Sequence, residues 1–317
     1  MGAQMTSTPQ EGLISIVMRT AGGRSRETTR ALKSVAASTY RPLEVVVVYQ
    51  GTEQSYASFL TGCQSLLVDI PLRFTQNPTN EDRRAQNLNI GLANARGRYV
   101  AFLDDDDTIE PNHLAVLGKA LRDSGRAWAY SQVILRREGD DPSEVTDSKP
   151  FWRRSFSVRA LWEQNYIPIH SILIDRARLA EELKERPFFE ELNRSEDWDF
   201  LIRLSFYHEP AVVDAFTSIY YVSAGDKNTN ISLVKQAAES ETFRQNRLAW
   251  EQCKALVEER KHALLQRTWW ARDFFYQDAG NAANPGGRDT SDRSRLDGRA
   301  LFRRIIRAVI RRLERLL

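Results

Sequence analysis

The stretch that decides the fold of this chain is Asn89-Ile90-Gly91-Leu92-Ala93-Asn94-Ala95-Arg96-Gly97-Arg98-Tyr99-Val100-Ala101-Phe102-Leu103-Asp104-Asp105-Asp106-Asp107. It predicts a helix, a short turn and a buried strand that ends directly in four carboxylates. Two unit charges about 4 Å apart repel by roughly 4 kcal/mol at an effective dielectric of about 20, so the acidic run needs positive partners. The candidates are a divalent cation such as Mg²⁺ or Mn²⁺, which prefers oxygen ligands, and nearby Arg and Lys side chains.

Strands and helices alternate in the sequence before this stretch. Apolar runs at Leu13–Met18 and Leu43–Val48 predict buried strands, and the segment Ser25–Ser38 between them predicts a helix. A third strand is predicted near Leu72–Phe74. This spacing is typical of parallel βαβ units with right-handed crossovers. Because ligands bind at the carboxyl ends of the strands in such sheets, the sequence predicts a site at the aspartate run.

The pattern becomes mixed in the second half of the chain. We expect a helix over 112–123, a strand over 127–135 and a polar loop over 136–149. A further helix is predicted through 198–206, and helical periodicity resumes from 233 to 275. This half therefore predicts a second lobe and a helical extension.

Three polar clusters accompany these elements: Arg19-Thr20-Ala21-Gly22-Gly23 after the first strand, Arg83 to Asn89 at a helix start, and Ser195 to Asp199 at another. Basic groups beside a metal-binding acidic group suit a nucleotide diphosphate. The helix dipole stabilises a carboxylate at a helix start by about 0.3–1 kcal/mol, which alone explains the third cluster. With the aspartate run upstream, Asp197 becomes a candidate general base, and Ser195 a candidate helix cap.

Charge and cysteine content narrow the class of protein. The net charge is +3, yet residues 298–317 alone carry seven Arg and one Glu, so the rest of the chain is slightly acidic. Cys63 and Cys253 have no disulfide or metal-ligand spacing, which favours a reducing compartment. The sequence shows no apolar run of about 20 residues and no leader pattern at its start, so we expect a cytoplasmic protein.

The basic segment 299–317 places its apolar side chains on one helical face and its Arg side chains on the other. Such a helix is typical of a protein bound peripherally to an anionic membrane surface. Docking on the protein's own body or on a partner subunit is the alternative. Nucleic-acid binding is disfavoured, because the apolar face is too continuous for a helix that reads phosphates.

Together these residues resemble the GT-A-fold family 2 glycosyltransferases, which transfer a sugar from a nucleotide-sugar donor with inversion. The resemblance runs from about Ile14 to Leu204 and is strongest in an Asn-x-Gly, helix, Gly-x-Tyr, strand and DXD pattern. It implies an α/β protein of the GT-A fold: a Rossmann-like, mostly parallel central sheet flanked by helices, with a mixed acceptor-side lobe and a C-terminal helical extension.

The resemblance also implies boundaries and ligands. The expected segments are a flexible N-terminus (1–12), a glycosyltransferase domain (13–225, with a nucleotide-sugar half 13–110 and an acceptor half 111–225), a helical extension (226–276), a flexible linker (277–298) and a basic amphipathic helix (299–317). The implied ligands are Mn²⁺ or Mg²⁺, a nucleotide-diphosphate sugar, and a hydroxyl of a glycan or lipid-linked acceptor. The implied process is cell-surface polysaccharide biosynthesis.

Roles are implied residue by residue. The resemblance implies that Asp197 deprotonates the acceptor hydroxyl while Glu196 orients groups beside it. The donor-side residues that it implies are Thr20, Gln50, Arg83 and Arg84 for the nucleotide, Asp104 and Asp105 for the ribose or metal, and Asp106 with Asp104 as metal ligands. Asp107 is expected to be structural.

Two departures from the family pattern leave alternatives open. Gln50 stands where relatives usually carry an acidic or amide pair, so the base is not specified. Ser223 follows Tyr220-Tyr221-Val222 where many relatives carry a histidine, so His170 or His208 is either a substitute metal ligand or an ordinary packed histidine.

Two other functions fit the sequence less well than glycosyl transfer. Nucleotidyl transfer to a sugar phosphate is disfavoured, because no Gly-rich phosphate loop with its Lys follows the first strand. A catalytically silent GT-A-like scaffold is disfavoured because both acidic groups are present.

Overall fold

The computed structural model describes residues 10–21, 25–51, 53–79, 81–139, 145–152, 155–222 and 241–267. Residues up to Leu264 form one compact unit. Within the described ranges the chain forms nine strands and eight α-helices, in this order: β1 (Gln10–Thr20), α1 (Ser25–Ala36), β2 (Leu43–Gln50), α2 (Glu53–Leu66), β3 (Leu72–Asn77), α3 (Arg84–Asn94), β4 (Gly97–Asp104), β5 (Thr108–Ile109), α4 (His113–Ser124), β6 (Trp128–Glu138), β7 (Val145–Pro150), α5 (Val158–Glu163), β8 (Ile172–Asp175), α6 (Glu181–Glu185), α7 (Glu196–Tyr207), β9 (Ala211–Val222) and α8 (Glu241–Arg267).

The strands form one sheet in the order β3-β2-β1-β4-β8-β6-β9-β5, with β7 paired to β6. Strands β3, β2, β1 and β4 are parallel, as the βαβ pattern predicts. Strand β8 then pairs antiparallel with both β4 and β6. The α/β class, the parallel first half and the mixed second half are therefore confirmed.

Alternation along the central strands builds a core on each face of the sheet. On β1, Ile14, Ile16 and Met18 face one layer, where they pack with residues of α1 and α4. Val17 faces the opposite layer, together with residues of α3 and α7. Strands buried on both faces need continuous apolar runs, which explains the composition of β1, β2 and β4.

Two glycines of the decisive stretch are required by close packing. A Cβ on Gly91 in α3 would overlap Val17 Cγ1 of β1 and lie 3.4 Å from Val48 Cγ2 of β2. A Cβ on Gly97 would lie 2.6 Å from the Leu13 carbonyl oxygen of β1. The glycines thus let α3 and the start of β4 approach the parallel sheet closely.

Several details differ from the sequence expectations. Part of the predicted polar loop over 136–149 is strand, because β6 continues to Glu138 and pairs antiparallel with β7. Strand β1 begins at Gln10, so residues 10–12 are not a flexible terminus. Ser195 precedes α7 but its side chain makes no capping hydrogen bond.

Other expectations concern the thiols and the last part of the chain. Cys63 and Cys253 are buried free thiols, as expected. Helix α8 lies inside the predicted extension, whereas the predicted linker 277–298 and basic helix 299–317 lie outside the described residues. None of the helices in the described ranges has both the length and the apolar composition to cross a bilayer.

The packing of Gly91 predicts a destabilising substitution. We expect Gly91→Ala to lower the free energy of unfolding by about 1–3 kcal/mol, because the methyl group must displace Val17 in a packed core. Gly62 in α2 is the matched control, since a Cβ there meets nothing within 4 Å. Gly62→Ala should stabilise the protein by up to about 1 kcal/mol through helix propensity. Urea unfolding of both variants checks this, and equal effects would contradict the packing argument.

Candidate active site

The carboxyl ends of β1 and β4 bring a basic and an acidic segment together. Arg19 pairs with Asp104 in the parallel register, and its Nε donates to Asp104 Oδ1 at 2.8 Å. Its Nη2 lies 3.4 Å from Asp104 Oδ2, so the two groups meet edge to edge. Beyond this pair, the hydroxyl of Thr20 lies 2.5 Å from Asp105 Oδ2. The last two residues of β1 therefore supply partners for two of the four carboxylates.

Arg19 also reaches a carboxylate from the far part of the domain. Its Nη1 donates to Glu196 Oε1 at the start of α7. Burial acts to raise the pKa of Asp104, but the Arg19 guanidinium outweighs it and holds that pKa below its ordinary value. One buried guanidinium thus connects the aspartate run to the Glu196-Asp197 segment.

The end of the aspartate run is fixed by backbone and histidine contacts. Asp107 Oδ1 accepts a hydrogen bond of 2.9 Å from the Tyr221 backbone N–H of β9. Asp107 Oδ2 lies 2.9 Å from Nδ1 of His170. Arg30 of α1 donates to the Asp106 carbonyl oxygen at 2.8 Å and stacks over the Tyr221 ring. Asp107 is therefore a buried structural residue.

The candidate base lies where α7 begins. Ser195 adopts a left-handed conformation with φ of 60°, which a non-glycine residue rarely takes outside functional sites. Asp197 Oδ1 accepts from the Trp198 backbone N–H at 2.8 Å, and Oδ2 accepts from Asn165 Nδ2 at 3.0 Å. Burial and then the neighbouring Glu196 raise the pKa of Asp197 to about 6, against the opposing charge of Arg19.

The loop that leads to this segment is held by α3. Asn89 donates to the Phe188 carbonyl oxygen at 2.9 Å and accepts from the Phe188 N–H at 3.1 Å. Asn89 also donates to Glu190 at 3.1 Å. The Asn of the Asn-x-Gly pattern therefore positions the chain that precedes Glu196.

Helix α8 supports α7 from the other side. Arg260 Nε lies 2.6 Å from Asp199 Oδ1, and Arg203 Nε lies 2.9 Å from Asp199 Oδ2. The Lys261 ammonium lies 4.0 Å from the centre of the Trp198 ring. The backbone of the candidate base is therefore fixed by ion pairs and cation–π contacts.

A second basic group surrounds Asp82, which precedes α3. Arg84 Nε lies 3.2 Å from Asp82 Oδ1, and Arg194 also pairs with Asp82. Burial acts to raise the pKa of Asp82, but Arg84 and Arg194 outweigh it and lower that pKa. The positive charges of Arg19 and Arg84 both act to lower the pKa of Asp104. Arg19, Arg84 and Arg194 thus form a basic cluster beside the aspartate run.

The remaining donor-side candidates lie at the edge of this cluster. Gln50 Oε1 accepts from the Arg83 backbone N–H at 3.2 Å and from Asn87 Nδ2 at 2.8 Å. The Arg83 side chain is 43% exposed and pairs with Glu81. The structure therefore brings together Gln50 and the start of α3, with Arg83 on the surface.

The carboxylate oxygens at the end of β4 suit a hard cation only when a bound substrate supplies the remaining metal ligands. The described residues contain no group of three His, Cys, Asp or Glu side chains arranged to hold a metal ion. Mg²⁺ is usually bound by one or two carboxylates together with substrate phosphates, and the oxygen ligands at the end of β4 suit that mode.

The two candidate histidines, His170 and His208, lie in different surroundings. His208 Nε2 accepts the Ala180 backbone N–H at 3.0 Å, and burial lowers the pKa of His208, as expected for a packed residue. His170 is buried against Asp107, next to the aspartate run. Of the two, only His170 belongs to the site.

Sequence reasoning gave no role to Arg19, Arg194 or Asn165. Arg19 lies in the first polar cluster, which the sequence could associate only generally with a nucleotide diphosphate, and Arg194 lies one residue before Ser195. No local pattern indicates which carboxylate each one pairs with, because the partners are distant in sequence.

With this geometry in view, comparison with known proteins defines the class of protein. Residues 15–181, more than half of the chain, match the family described as Glycosyl transferase family 2. The chain belongs to this family of glycosyltransferase enzymes.

Individual relatives agree with the family match. The chain is 27% identical over 218 residues to the "Putative colanic acid biosynthesis glycosyl transferase WcaA" of Escherichia coli (strain K12), covering 68% of this chain and 74% of the relative. It is 26% identical over 117 residues to the "GalNAc(5)-diNAcBac-PP-undecaprenol beta-1,3-glucosyltransferase" of Campylobacter jejuni, covering 37% of each chain.

A solved structure supports the fold. The chain resembles S. aureus TarS 1-349 in complex with UDP-GlcNAc with a TM-score of 0.50 and 20% identity. The match covers 74% of this chain and 65% of that one. The protein therefore has the GT-A fold, an α/β fold with a mostly parallel sheet.

The His170–Asp107 pair predicts a pH dependence of stability. Burial acts to lower the pKa of His170, but Asp107 outweighs it and raises that pKa above the ordinary value. The stability gained is therefore complete below about pH 6.5 and is lost as the pH rises through the folded-state pKa. We expect His170→Gln to cost more unfolding free energy at about pH 6 than at about pH 8.5.

Urea unfolding of the metal-free protein at both pH values measures this. His262→Gln, at an exposed position of α8, is the control and should cost the same at both. An equal cost for the two His170 measurements would contradict the ion pair.

Proposed function

We propose that the protein is a metal-dependent, inverting glycosyltransferase that moves a sugar from a nucleotide-diphosphate sugar to a hydroxyl of a glycan or lipid-linked acceptor. The observation that carries the proposal is the contact of Arg19 with both Asp104 and Glu196. This contact joins Asp104, a proposed metal ligand, to Glu196, the residue before the proposed base Asp197. In-line displacement at a sugar carbon needs both groups near the same atom.

The donor is assigned to the carboxyl ends of β1 and β4. Asp106, with Asp104, is the proposed ligand of Mn²⁺ or Mg²⁺, and Asp105 and Thr20 lie at the ribose side. The cation supplies charge stabilisation for the departing diphosphate. Arg84, in the basic cluster, is placed to neutralise phosphate oxygens. Gln50 and Arg83 are assigned to the nucleotide base from their position at the end of β2 and the start of α3.

The acceptor is assigned to the side of α7. Asp197 takes the proton from the acceptor hydroxyl as that oxygen attacks the sugar carbon. A base with a pKa of about 6 is ionised at neutral pH yet retains more basicity than an ordinary aspartate. Asn165 and the Trp198 N–H hold the carboxylate in one orientation. Arg19 donates to the Glu196 carboxylate and orients it.

The biological process is proposed from the relatives' names. One relative is named for colanic acid biosynthesis and another for a glucosyltransferase whose acceptor is a polyprenyl-linked glycan. These names support an acceptor in polysaccharide biosynthesis that is built on a lipid carrier. We propose that this process supplies the cell surface and that the transfer takes place at the cytoplasmic face of a membrane.

Metal-dependent nucleotide binding tests the function. We expect Mn²⁺ to be required for tight binding of one member of a panel of UDP-GlcNAc, UDP-glucose and GDP-mannose in calorimetry, and for its slow hydrolysis. Asp106→Ala should abolish both, because it removes the proposed ligand. Asp197→Asn should preserve binding but lower turnover by about 10²–10⁴-fold, the usual contribution of a general base.

Asp123→Ala, at an exposed position of α4, is the matched control and should behave as the wild type. Absence of metal-dependent nucleotide binding in the wild type would contradict the proposal and favour a scaffold. Release of pyrophosphate from a nucleoside triphosphate and a sugar phosphate would favour nucleotidyl transfer. Full turnover by Asp197→Asn would refute the assignment of the base.

We also propose that residues 299–317 bind an anionic membrane that carries the acceptor. The support is the sequence pattern of seven Arg opposite a continuous apolar face. The full chain should co-sediment with vesicles of anionic phospholipid, and binding should weaken with salt. A chain ending at Gln277 should lose this binding, and neutral vesicles serve as the control. Equal binding by both chains would exclude the segment as the membrane contact and leave docking on a partner subunit.

A further inference from the structure

Arg19 is ion-paired to both halves of the proposed site, to Asp104 on one side and to Glu196 on the other. It lies 85 residues from Asp104 and 177 residues from Glu196 in sequence. Its side chain is 13% exposed, and that of Glu196 is 3% exposed. A buried guanidinium shared by two carboxylates is held in place by charge-assisted hydrogen bonds.

The two contacts use different edges of the guanidinium. The Nε and Nη2 edge faces Asp104, and Nη1 faces Glu196. A planar fork with fixed donor directions sets the distance and angle between the two carboxylates. A lysine ammonium carries the same charge but presents no such fork, so it cannot fix both partners in this geometry.

We propose that Arg19 is a positioning residue that fixes the Glu196-Asp197 segment relative to the Asp104–Asp107 turn, and that its charge is shared between the proposed metal site and the proposed base. The inference rests on the proposed function and extends it, since it assigns to β1 a residue that couples the donor side to the acceptor side.

The shared charge acts on both neighbours. The Arg19 charge opposes the rise in the pKa of Asp197 that burial and Glu196 cause. It also occupies Asp104, so it competes with a cation for that carboxylate. Loss of the charge should therefore raise the pKa of the base and leave Asp104 open to metal.

Three variants separate charge, geometry and simple loss of structure. Arg19→Met removes the charge at similar side-chain length, and Arg19→Lys keeps the charge without the fork. Arg98→Met is the matched control, because Arg98 also pairs with two carboxylates, Asp175 and Glu11, at the opposite end of β4. Circular dichroism and urea unfolding of each variant establish that it is folded.

The first readout is the pH profile of donor hydrolysis with Mn²⁺, using the nucleotide sugar from the panel that the wild type hydrolyses. In Arg19→Met the acidic limb should move up by about one pH unit, the lower end of the usual effect of one neighbouring charge. In Arg19→Lys the limb should stay in place while kcat falls by up to about 10²-fold, through misplacement of the base. Arg98→Met should change neither.

The second readout needs no donor. Mn²⁺ binding in the presence of the nucleoside diphosphate of that donor, followed by electron paramagnetic resonance, should tighten several-fold in Arg19→Met and remain unchanged in Arg98→Met. If Arg19→Met does not fold, Arg19→Lys decides the proposal, because a kcat equal to that of the wild type would overturn it.

A purely structural role for Arg19 gives a different outcome. It would lower activity uniformly, with the acidic limb and the Mn²⁺ affinity unchanged, and that result would overturn the inference. The failure of the proposed function is distinguishable, because it would show as absent Mn²⁺-dependent nucleotide binding in the wild type.

Discussion

The need to neutralise a run of carboxylates governs the arrangement around β4. Three carboxylates of the run have partners elsewhere in the fold: the half-buried Asp104 and the buried Asp105 from Arg19 and Thr20 of β1, and the buried Asp107 from His170 and β9. An unpaired buried charge would cost several kcal/mol, so these partners must assemble together. The parallel pairing of β1 with β4 supplies the first, since Arg19 lies opposite Asp104 in the register, and the Thr20 hydroxyl at the end of β1 supplies the second.

The sequence signature that precedes the carboxylates has a structural purpose of its own. Gly91 and Gly97 permit close contact of α3 and β4 with β1, and Asn89 holds both backbone polar groups of Phe188. The same helix that packs on the sheet therefore positions the chain entering α7. The residues of this sequence pattern therefore build the scaffold of the site as well as supplying its carboxylates.

Local patterns predicted the parallel half because strands buried on both faces have continuous apolar runs and helices have their own period. They failed where the determining contact is distant. Strand β7 is polar and exposed, and only its pairing with β6 makes it a strand. The left-handed conformation of Ser195 is not signalled by its local sequence. The contact of Arg19 with Glu196 joins residues that are 177 positions apart in sequence. The sequence thus predicted the acidic members of the proposed site, and the structure shows which residues join them.

The family match ends at residue 181, before the candidate base, so the second half of the site rests on geometry. There a shared ion pair occurs a second time, with the roles of acid and base exchanged. Arg19 is shared by two carboxylates, whereas the carboxylate of Asp199, in the first turn of α7, is shared by Arg203 and Arg260. Because Arg260 belongs to α8, a helix beyond the matched region fixes the same turn that Arg19 holds from β1. The first turn of α7, which carries Asp197, is therefore held from both sides, by Arg19 of β1 through Glu196 and by Arg260 of α8 through Asp199.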